Sequence, residues 1–485
     1  MHGHWRPPPG SSRSSPPTDP TAVPVIRDRL PTFSTSVPVV VIGAGAAGAV
    51  AALAARDTGA KVLILDRDAS PAGATAASSG MIPAAGTRAQ TAREVEDSAE
   101  SFAEDIQAKS NGRSAAHLVD AYTRASAETL DWLEAGCGVR FELVEGVAPG
   151  HRVSRMHALA DRGGTSLLSA LYRTLAARGV RMQPGARVTD LYVDGEQRVR
   201  GVRYIRGERD AVDIGCSAVV LATNGFAGNE ERVRLHLPDV RALPFAGHDG
   251  SQGDALAWGE ELGAAIDDID GFLAHSSVVM PQRLQLPWAL MTEGAIQVNR
   301  QGERFGNEHE GYSESALFVL AQPEGIAFNI YDERVHEVGL AMPNYPEAVA
   351  RGIIKRGVAL RDLAEVLGID RVGLEQTVAL VNAMAFEDDV DDFGRQFHAS
   401  QMLLGPYYGV QITGALLGSE GGLAIDAEGR VLRPDGSTLP NMLAAGGAAR
   451  GLSGDGGGGY LEGNGLLAAV VGGRFAGRTA AQIAY

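Results

Sequence analysis

Residues 39–48 read VVVIGAGAAG, and the next apolar run, KVLILD, closes on the acidic side chain of Asp66. Three glycines and one carboxylate at this spacing can hold a dinucleotide, each for its own physical reason. Gly43 lets the chain turn tightly out of a strand, and Gly45 lets the backbone approach a pyrophosphate. Gly48 lets the following helix pack close to the sheet. A helix over Ala46–Thr58 would point its unpaired N–H groups and positive dipole end at the phosphates. Asp66, at the tip of the second strand, is placed to accept hydrogen bonds from ribose hydroxyls. A GxGxxG alone is weak evidence; strand, glycines, helix, strand and acid in that order are strong.

The elements that must carry these groups follow along the chain. GATAASSGMIPAAG (73–86) is a small-residue loop suited to lie against something flat or charged. A helical stretch is expected over Ala92–Ala135, and a helix over Gly164–Arg178. Residues 181–207 predict an antiparallel pair turning at DGEQ. AVVLATNGF (218–226) reads as a buried strand entering another glycine turn. From Gly271 to Thr413 the pattern becomes α+β with fewer glycines, as an inserted domain would. Residues 421–447 return to strands, and 463–485 read as a helix with a glycine-rich start.

Composition bounds the rest. The chain has 485 residues, enough for two domains with real cores. A formal charge of −16 argues against a nucleic-acid partner, which needs a basic stripe. Two cysteines, Cys137 and Cys216, far apart, fit a reducing cytoplasm and offer neither a disulfide framework nor a metal site. Val39–Ala55 lacks charge, yet its glycines and alanines carry little apolar area and Arg56 and Asp57 follow at once. It reads as strand, turn and helix rather than a transmembrane segment. Residues 1–36, rich in Pro, Ser and Arg, read as a disordered extension.

Further motifs make the chain resemble the fumarate reductase/succinate dehydrogenase flavoprotein superfamily, and in particular its 3-ketosteroid Δ1-dehydrogenase branch. They are GATAASSGM, PGHRVSRMH (149–157), LATNGF (221–226), GDALAWGEELGA (253–264), GERFGNE (302–308), LGSEGGLAID (417–426), LAAGG (443–447) and YLEGNGLL (460–467). The resemblance implies an α/β fold: a Rossmann-like FAD-binding domain over 37–270 and 414–485, with an α+β capping domain inserted over 271–413. FAD contacts are implied at Gly43, Gly45, Ala47, Gly48, Asp66, Arg67, Thr75, Ser79, Gly80, Met81, Val188, Ala222, Thr223, Gly225, Asp254 and Gly446. Backbone N–H groups of Leu466 and Leu467 would face the pyrimidine edge, where the last helix's N-terminus offsets the charge of reduced flavin. The position used for covalent histidyl attachment is Ala74 here, which implies non-covalent FAD.

The departures from dicarboxylate-reducing relatives concern chemistry. Where those use arginines, this chain has Tyr312 in NEHEGY and Tyr460 in GGGGYLEGNG, and Gly418 replaces a histidine. The ketosteroid branch has tyrosines at both places. Desaturating a ketone beside its carbonyl requires polarising the oxygen, removing an α-proton and passing a β-hydride to the flavin. The resemblance therefore implies Tyr460 as hydrogen-bond donor to the enolate oxygen, a backbone N–H at Asn464 as second donor, and Tyr312 as base. Using a tyrosinate of pKa about 10 near neutral pH costs roughly 3–4 kcal/mol. No second tyrosine in VEGVAPGHR assists it; Arg155, His157 and His275 are the other groups for that role, or for a substrate carboxylate.

The expectation is thus an FAD-dependent dehydrogenase of a cyclic ketone, either a small cyclohexanone such as a 4-oxocyclohexanecarboxylate or a 3-ketosteroid. Its electrons would leave to a quinone-like or protein acceptor. Two alternatives stay open: an enone or fumarate-type reductase, and a non-catalytic flavin-binding subunit or sensor.

Overall fold

A computed structural model describes residues 25–27, 30–70, 72–207 and 210–485. Strand Ser36–Ile42, whose run of valines is buried on both faces, lies inside a nine-stranded sheet. β-Branched residues without polar alternation suit such a doubly covered strand. It pairs in parallel with Val62–Leu65 on one side and Asp210–Leu221 on the other. Thr438–Ala444 lies parallel against the end of Asp210–Leu221. The registers bring Leu65, Ile42, Leu221 and Ala444 to one level. The residues after them, Asp66, Gly43, Ala222 and Ala445, share the carboxyl edge of the sheet, where open α/β sheets bind ligands.

Helix Ala46–Asp57 covers this sheet, and the C-terminal helix Gly473–Ala484 crosses it closely. A Cβ on Gly473 would come 2.5 Å from the Ala47 carbonyl oxygen, and one on Gly477 2.1 Å from that of Ala51. Only glycines permit that approach.

A second, six-stranded sheet is built from residues 272–419. Tyr407–Ser419 runs antiparallel between Phe272–Val279 and Ile326–Asp332, with Leu284–Gln285 and Ile296–Val298 outside them and Lys355–Gly357 paired directly to the start of Tyr407–Ser419. Helices Leu360–Leu367 and Arg371–Glu387 close one side over Phe328, Leu374 and Phe397. Trp288, Tyr331 and Tyr345 anchor a separate apolar cluster. Glu308 of GERFGNE ties Arg304 to Arg395; burial alone would raise its pKa, but the two guanidinium groups hold it at about 2. Strand Tyr407–Ser419 runs without a break across the expected limit at residue 413.

The structure corrects or refines four local expectations. Of the extension expected over 1–36, residues 1–24, 28 and 29 lie outside the described residues, but Val25–Ile26 is a strand paired with Leu191–Tyr192. Phe33 packs edge-on against Tyr192 at 5.6 Å between ring centroids, which gives this end an apolar anchor. The helical stretch expected over 92–135 holds two helices, Ala99–Lys109 and Ala116–Cys137, separated by a turn in which Asn111 has φ +53° and Gly112 φ +75°. Arg181–Gln183 joins Val62–Leu65 rather than the hairpin, which is Ala186–Val193 with Val199–Arg206. The last helix begins with a turn at Asn464–Leu467 and passes through a π segment, Ala468–Gly472.

Candidate active site

A cleft of about 950 Å³ opens at the carboxyl edge of the large sheet and continues beneath the six-stranded sheet. Its first end is the glycine turn. Gly43 has φ +104°, and a Cβ there would lie 2.2 Å from the Ala222 carbonyl oxygen. At Gly48 a Cβ would lie 1.9 Å from the Gly43 carbonyl oxygen. Gly45 differs: its Cβ would meet only Thr75 Oγ1, at 3.6 Å. The fold requires the outer two glycines, whereas the space over Gly45 belongs to the cleft.

Asp66 accepts from the Ala44 N–H at 2.6 Å and the Asp68 N–H at 2.8 Å, and burial raises its pKa against the pull of those bonds. Each oxygen keeps a lone pair for a further donor. Thr75 Oγ1 accepts the Ala46 N–H at 3.0 Å, and Arg67 pairs with Asp254 at 3.1 Å. Thr223 on the wall has a buried hydroxyl with no partner in the protein, and Asn464, behind the surface, leaves both amide atoms unpartnered. Buried polar atoms of that kind are normally satisfied, so a polar ligand suits these positions.

Gly43, Gly45, Ala47, Asp66, Arg67, Thr75, Ser79, Met81, Val188, Ala222, Thr223, Asp254, Gly446 and Leu466 all line the cleft, as does Ala74. Gly48, Gly80, Gly225, Leu467 and Asn464 stand behind its surface. A Cβ on Gly80 would press on the Gly163 backbone at 2.9 Å, and one on Gly225 on Ser419 Oγ at 2.1 Å. The Leu467 N–H donates to the Gly463 carbonyl at 3.0 Å and its side chain is buried, so it does not face a ligand as expected. The Asn464 N–H likewise donates to the Leu461 carbonyl at 3.1 Å, which corrects its assignment as a donor. The next N–H, that of Gly465, points into the site and donates to the Tyr460 hydroxyl at 3.4 Å.

The other end of the cleft is aromatic. Tyr312 opens helix Tyr312–Leu320 after Gly311, whose φ is +138°. Its ring stacks on His275 at 5.0 Å and 20°, meets Trp288 edge-on at 6.0 Å, and lies 6.0 Å from the ring of Tyr460. His275 Nδ1 accepts the Ser277 N–H at 3.0 Å, so Nε2 carries the proton; burial pushes its pKa to about 3 and keeps it neutral. Burial raises Tyr312 well above its ordinary pKa, and Tyr460, Glu462 and Glu420 raise it further. Burial and Glu420 also raise Tyr460, but the Gly465 N–H and the Tyr312 hydroxyl work against the rise. Tyr460 is therefore the better hydrogen-bond donor, and Tyr312 the poorer phenolate.

Two groups weighed for a substrate carboxylate are elsewhere. The Arg155 side chain is fully buried between Asp97 (2.7 Å) and Asp105 (2.6 Å). His157 is buried against Thr87 Oγ1 at 2.8 Å. Neither lines the cleft; His275 does, but uncharged.

Three wall residues were missed. Glu420 and Glu462 lie on the wall with the tyrosines, and burial pushes each to about pKa 7; Ser453 Oγ donates to Glu420 at 2.8 Å. A carboxylate set among glycines, in LGSEGGL and YLEGNG, is the signal that could have found them. Trp288 is the third, its buried Nε1 unpartnered. Among the described residues no helix is long and apolar enough to cross a membrane.

Comparison with known proteins gives concordant findings. The FAD binding domain family matches residues 38–466. The chain is 29% identical to an NADH:fumarate oxidoreductase of Klebsiella pneumoniae over 92% of its own length, and spans 47% of that protein. It is 30% identical to a 4-oxocyclohex-2-ene-1-carboxylate 5-dehydrogenase of Sinomonas cyclohexanicum, over 66% of this chain and 60% of that one. The crystal structure of 3-ketosteroid-Δ4-(5α)-dehydrogenase from Rhodococcus jostii, with 4-androstene-3,17-dione, superposes with TM-score 0.72 at 26% identity. That match covers 93% of this chain and 97% of the other.

Proposed function

The chain belongs to the FAD binding domain family and is an FAD-dependent oxidoreductase of carbon–carbon bonds; from that premise we propose that it desaturates an uncharged ring ketone next to its carbonyl. The observation that carries this reading is the pairing of Tyr312 with Tyr460, 6.0 Å between rings, on a wall that also bears the Glu420 and Glu462 carboxyls. Of the arginines on that wall, Arg67 pairs with Asp254 and Arg283 with Asp249. Arg187 stands beside Val188, and Arg162 reaches Met342 Sδ at 3.9 Å. With Glu420 and Glu462 facing the tyrosines, a dicarboxylate would meet repulsion there.

In this reading the glycine turn and Asp66 hold FAD, with Thr223 as a further polar contact, and Ala74 offers no nucleophile for a covalent link. FAD when bound supplies a two-electron acceptor for the β-hydrogen. The protein supplies the rest. Tyr460 donates its O–H to the ketone oxygen, strengthened by the Gly465 N–H behind it. Tyr312 takes the α-proton, oriented by His275 and Trp288. Leu284, Leu286 and Pro287 offer an apolar wall for the ring.

The test is anaerobic mixing of the yellow protein with uncharged cyclohexanones, their carboxylates and 3-ketosteroids. Bleaching of the flavin by the uncharged ketones is expected. Failure with every ketone, together with reoxidation of the reduced protein by dicarboxylates, would overturn the reading. Reduction of an enone by the same groups in reverse is the second reading, favoured by the likeness to the Klebsiella protein over most of the chain.

A further inference from the structure

Adjoining the tyrosine pair is a small, partly open chamber of about 10 Å³, bounded by Lys109, Pro149, Glu310, Tyr312, Tyr460 and Glu462. That is about the space one water molecule needs. Glu462 lines both this chamber and the cleft, as do the two tyrosines. Across the chamber Lys109 bonds to the Glu314 carboxylate and, at 3.0 Å, to the Glu310 carbonyl. His151 Nε2 holds the Glu462 backbone carbonyl at 3.0 Å, and Arg155 donates to His151 Nδ1 at 3.1 Å, so the turn carrying Glu462 is braced from behind.

We propose that Glu462 is the final acceptor of the substrate's α-proton, reached from Tyr312 through one water in this chamber, and that the Lys109–Glu314 pair leads the proton out. The inference rests on the ketone reading above and deepens it. As the α C–H bond breaks, its proton bonds to the Tyr312 oxygen while Tyr312's own proton passes to the water, and one from the water to a Glu462 oxygen. The C–H electron pair forms the enolate, held by Tyr460. With FAD bound as two-electron acceptor, the β-hydrogen would leave to it with its electron pair as the enolate closes to the enone, so that two electrons and one hydrogen would go to the cofactor and one proton to Glu462.

Burial, with Tyr460, Glu462 and Glu420 nearby, holds the Tyr312 pKa well above its ordinary value, so a standing phenolate is disfavoured. A relay removes the need for a standing phenolate. Glu462 changes protonation near neutrality instead, because burial disfavours its charge and, among the described residues, no arginine or lysine pairs with it. The groups facing it are Tyr312, Tyr460 and Glu420 in the cleft, and Lys109, Glu310 and Glu314 across the chamber. Glu420 is the weaker choice: it lines the cleft but not the chamber, and Ser453 already donates to it.

The experiment compares wild-type holoenzyme with Glu462→Gln, mixed anaerobically from pH 5 to 9 with a cyclohexanone that bleaches the wild type. Wild-type bleaching is expected to rise with pH through an inflection near 7. In E462Q the rate should fall about 100-fold, the inflection should vanish and KM should stay nearly constant. Infrared spectra of the two proteins at pH 5 should differ by one carboxylic-acid C=O band. E462Q that bleaches at the wild-type rate with the inflection intact overturns the inference. Should E462Q not fold, Glu462→Asp, one methylene short of the chamber, should keep the inflection and slow at least about 10-fold; an unchanged rate there is equally fatal. A wild type bleached by no ketone sinks the ketone reading itself, and this inference with it.

Discussion

The Tyr460 hydroxyl receives the backbone N–H of Gly465 at 3.4 Å, across the turn that opens the last helix. A phenol that accepts such a bond donates its own proton more strongly. Because both groups belong to one short turn, the donor's aim is fixed by local backbone geometry.

Tyr460→Phe removes that donor while leaving the ring. The bleaching rate with a ring ketone should fall about 100- to 1000-fold with the yellow colour retained. Stopped-flow spectra check this, and a rate within a few-fold of wild type would exclude Tyr460 from oxygen polarisation.

The glycines of the turn should separate by function. Gly48→Ala drives a Cβ to 1.9 Å from a backbone oxygen and should cost about 3 kcal/mol or more, seen as a lower Tm of the FAD-free protein. Gly45→Ala meets only a side-chain oxygen at 3.6 Å and should change that stability by less than about 1 kcal/mol, while weakening FAD at least about 10-fold. Equal effects of both on apoprotein stability would contradict this division.

Arg155 should prove structural. Asp97→Asn leaves its buried guanidinium half-paired and should destabilise the fold by about 3–5 kcal/mol. The ratio of rates with uncharged and carboxylated cyclohexanones, per folded yellow protein, should not move. A shifted ratio would return Arg155 to the substrate.

Glu420 gives stability a defined pH dependence. Its folded pKa of about 7 lies above the ordinary carboxyl value, so the folded state binds more protons between about pH 4.5 and 7. Stability falls as pH rises through that window, and the penalty is complete above it. Glu420→Gln, which still accepts from Ser453, should stabilise the FAD-free protein by about 2 kcal/mol at pH 8 and by little at pH 4.5. Denaturant titration at the two pH values measures the difference; equal shifts would mean the carboxyl is not raised.

Much of the fold is legible in short stretches of chain. VVVIGAGAAG specifies strand, turn and helix because sterics between near neighbours dictate all three; the Gly43, Gly48 and Ala222 contacts confirm how little freedom that turn has. The helical stretch 92–135 divides at SNGRSA (110–115), a turn-type sequence in which Asn111 and Gly112 both take left-handed φ, 53° and 75°. The assignment of a donor to Asn464 missed by one residue, since hydrogen-bond register within a turn depends on which carbonyl each N–H reaches.

The aromatic end of the cleft was a different matter. Tyr312 and Tyr460 stand 148 positions apart, and their residue types suggested a chemistry; their approach to 6.0 Å comes from one sheet laid over another. Arg155 and His157 carry suitable groups, yet folding turns them inward to Asp97, Asp105 and Thr87. Glu420 and Glu462 stand among glycines with no local sign of their role, and burial in the folded protein moves their protonation towards neutrality. Near-neighbour sterics write backbone conformation into consecutive residues, whereas burial and charge at a site are sums over distant segments, so they arise only when those segments meet.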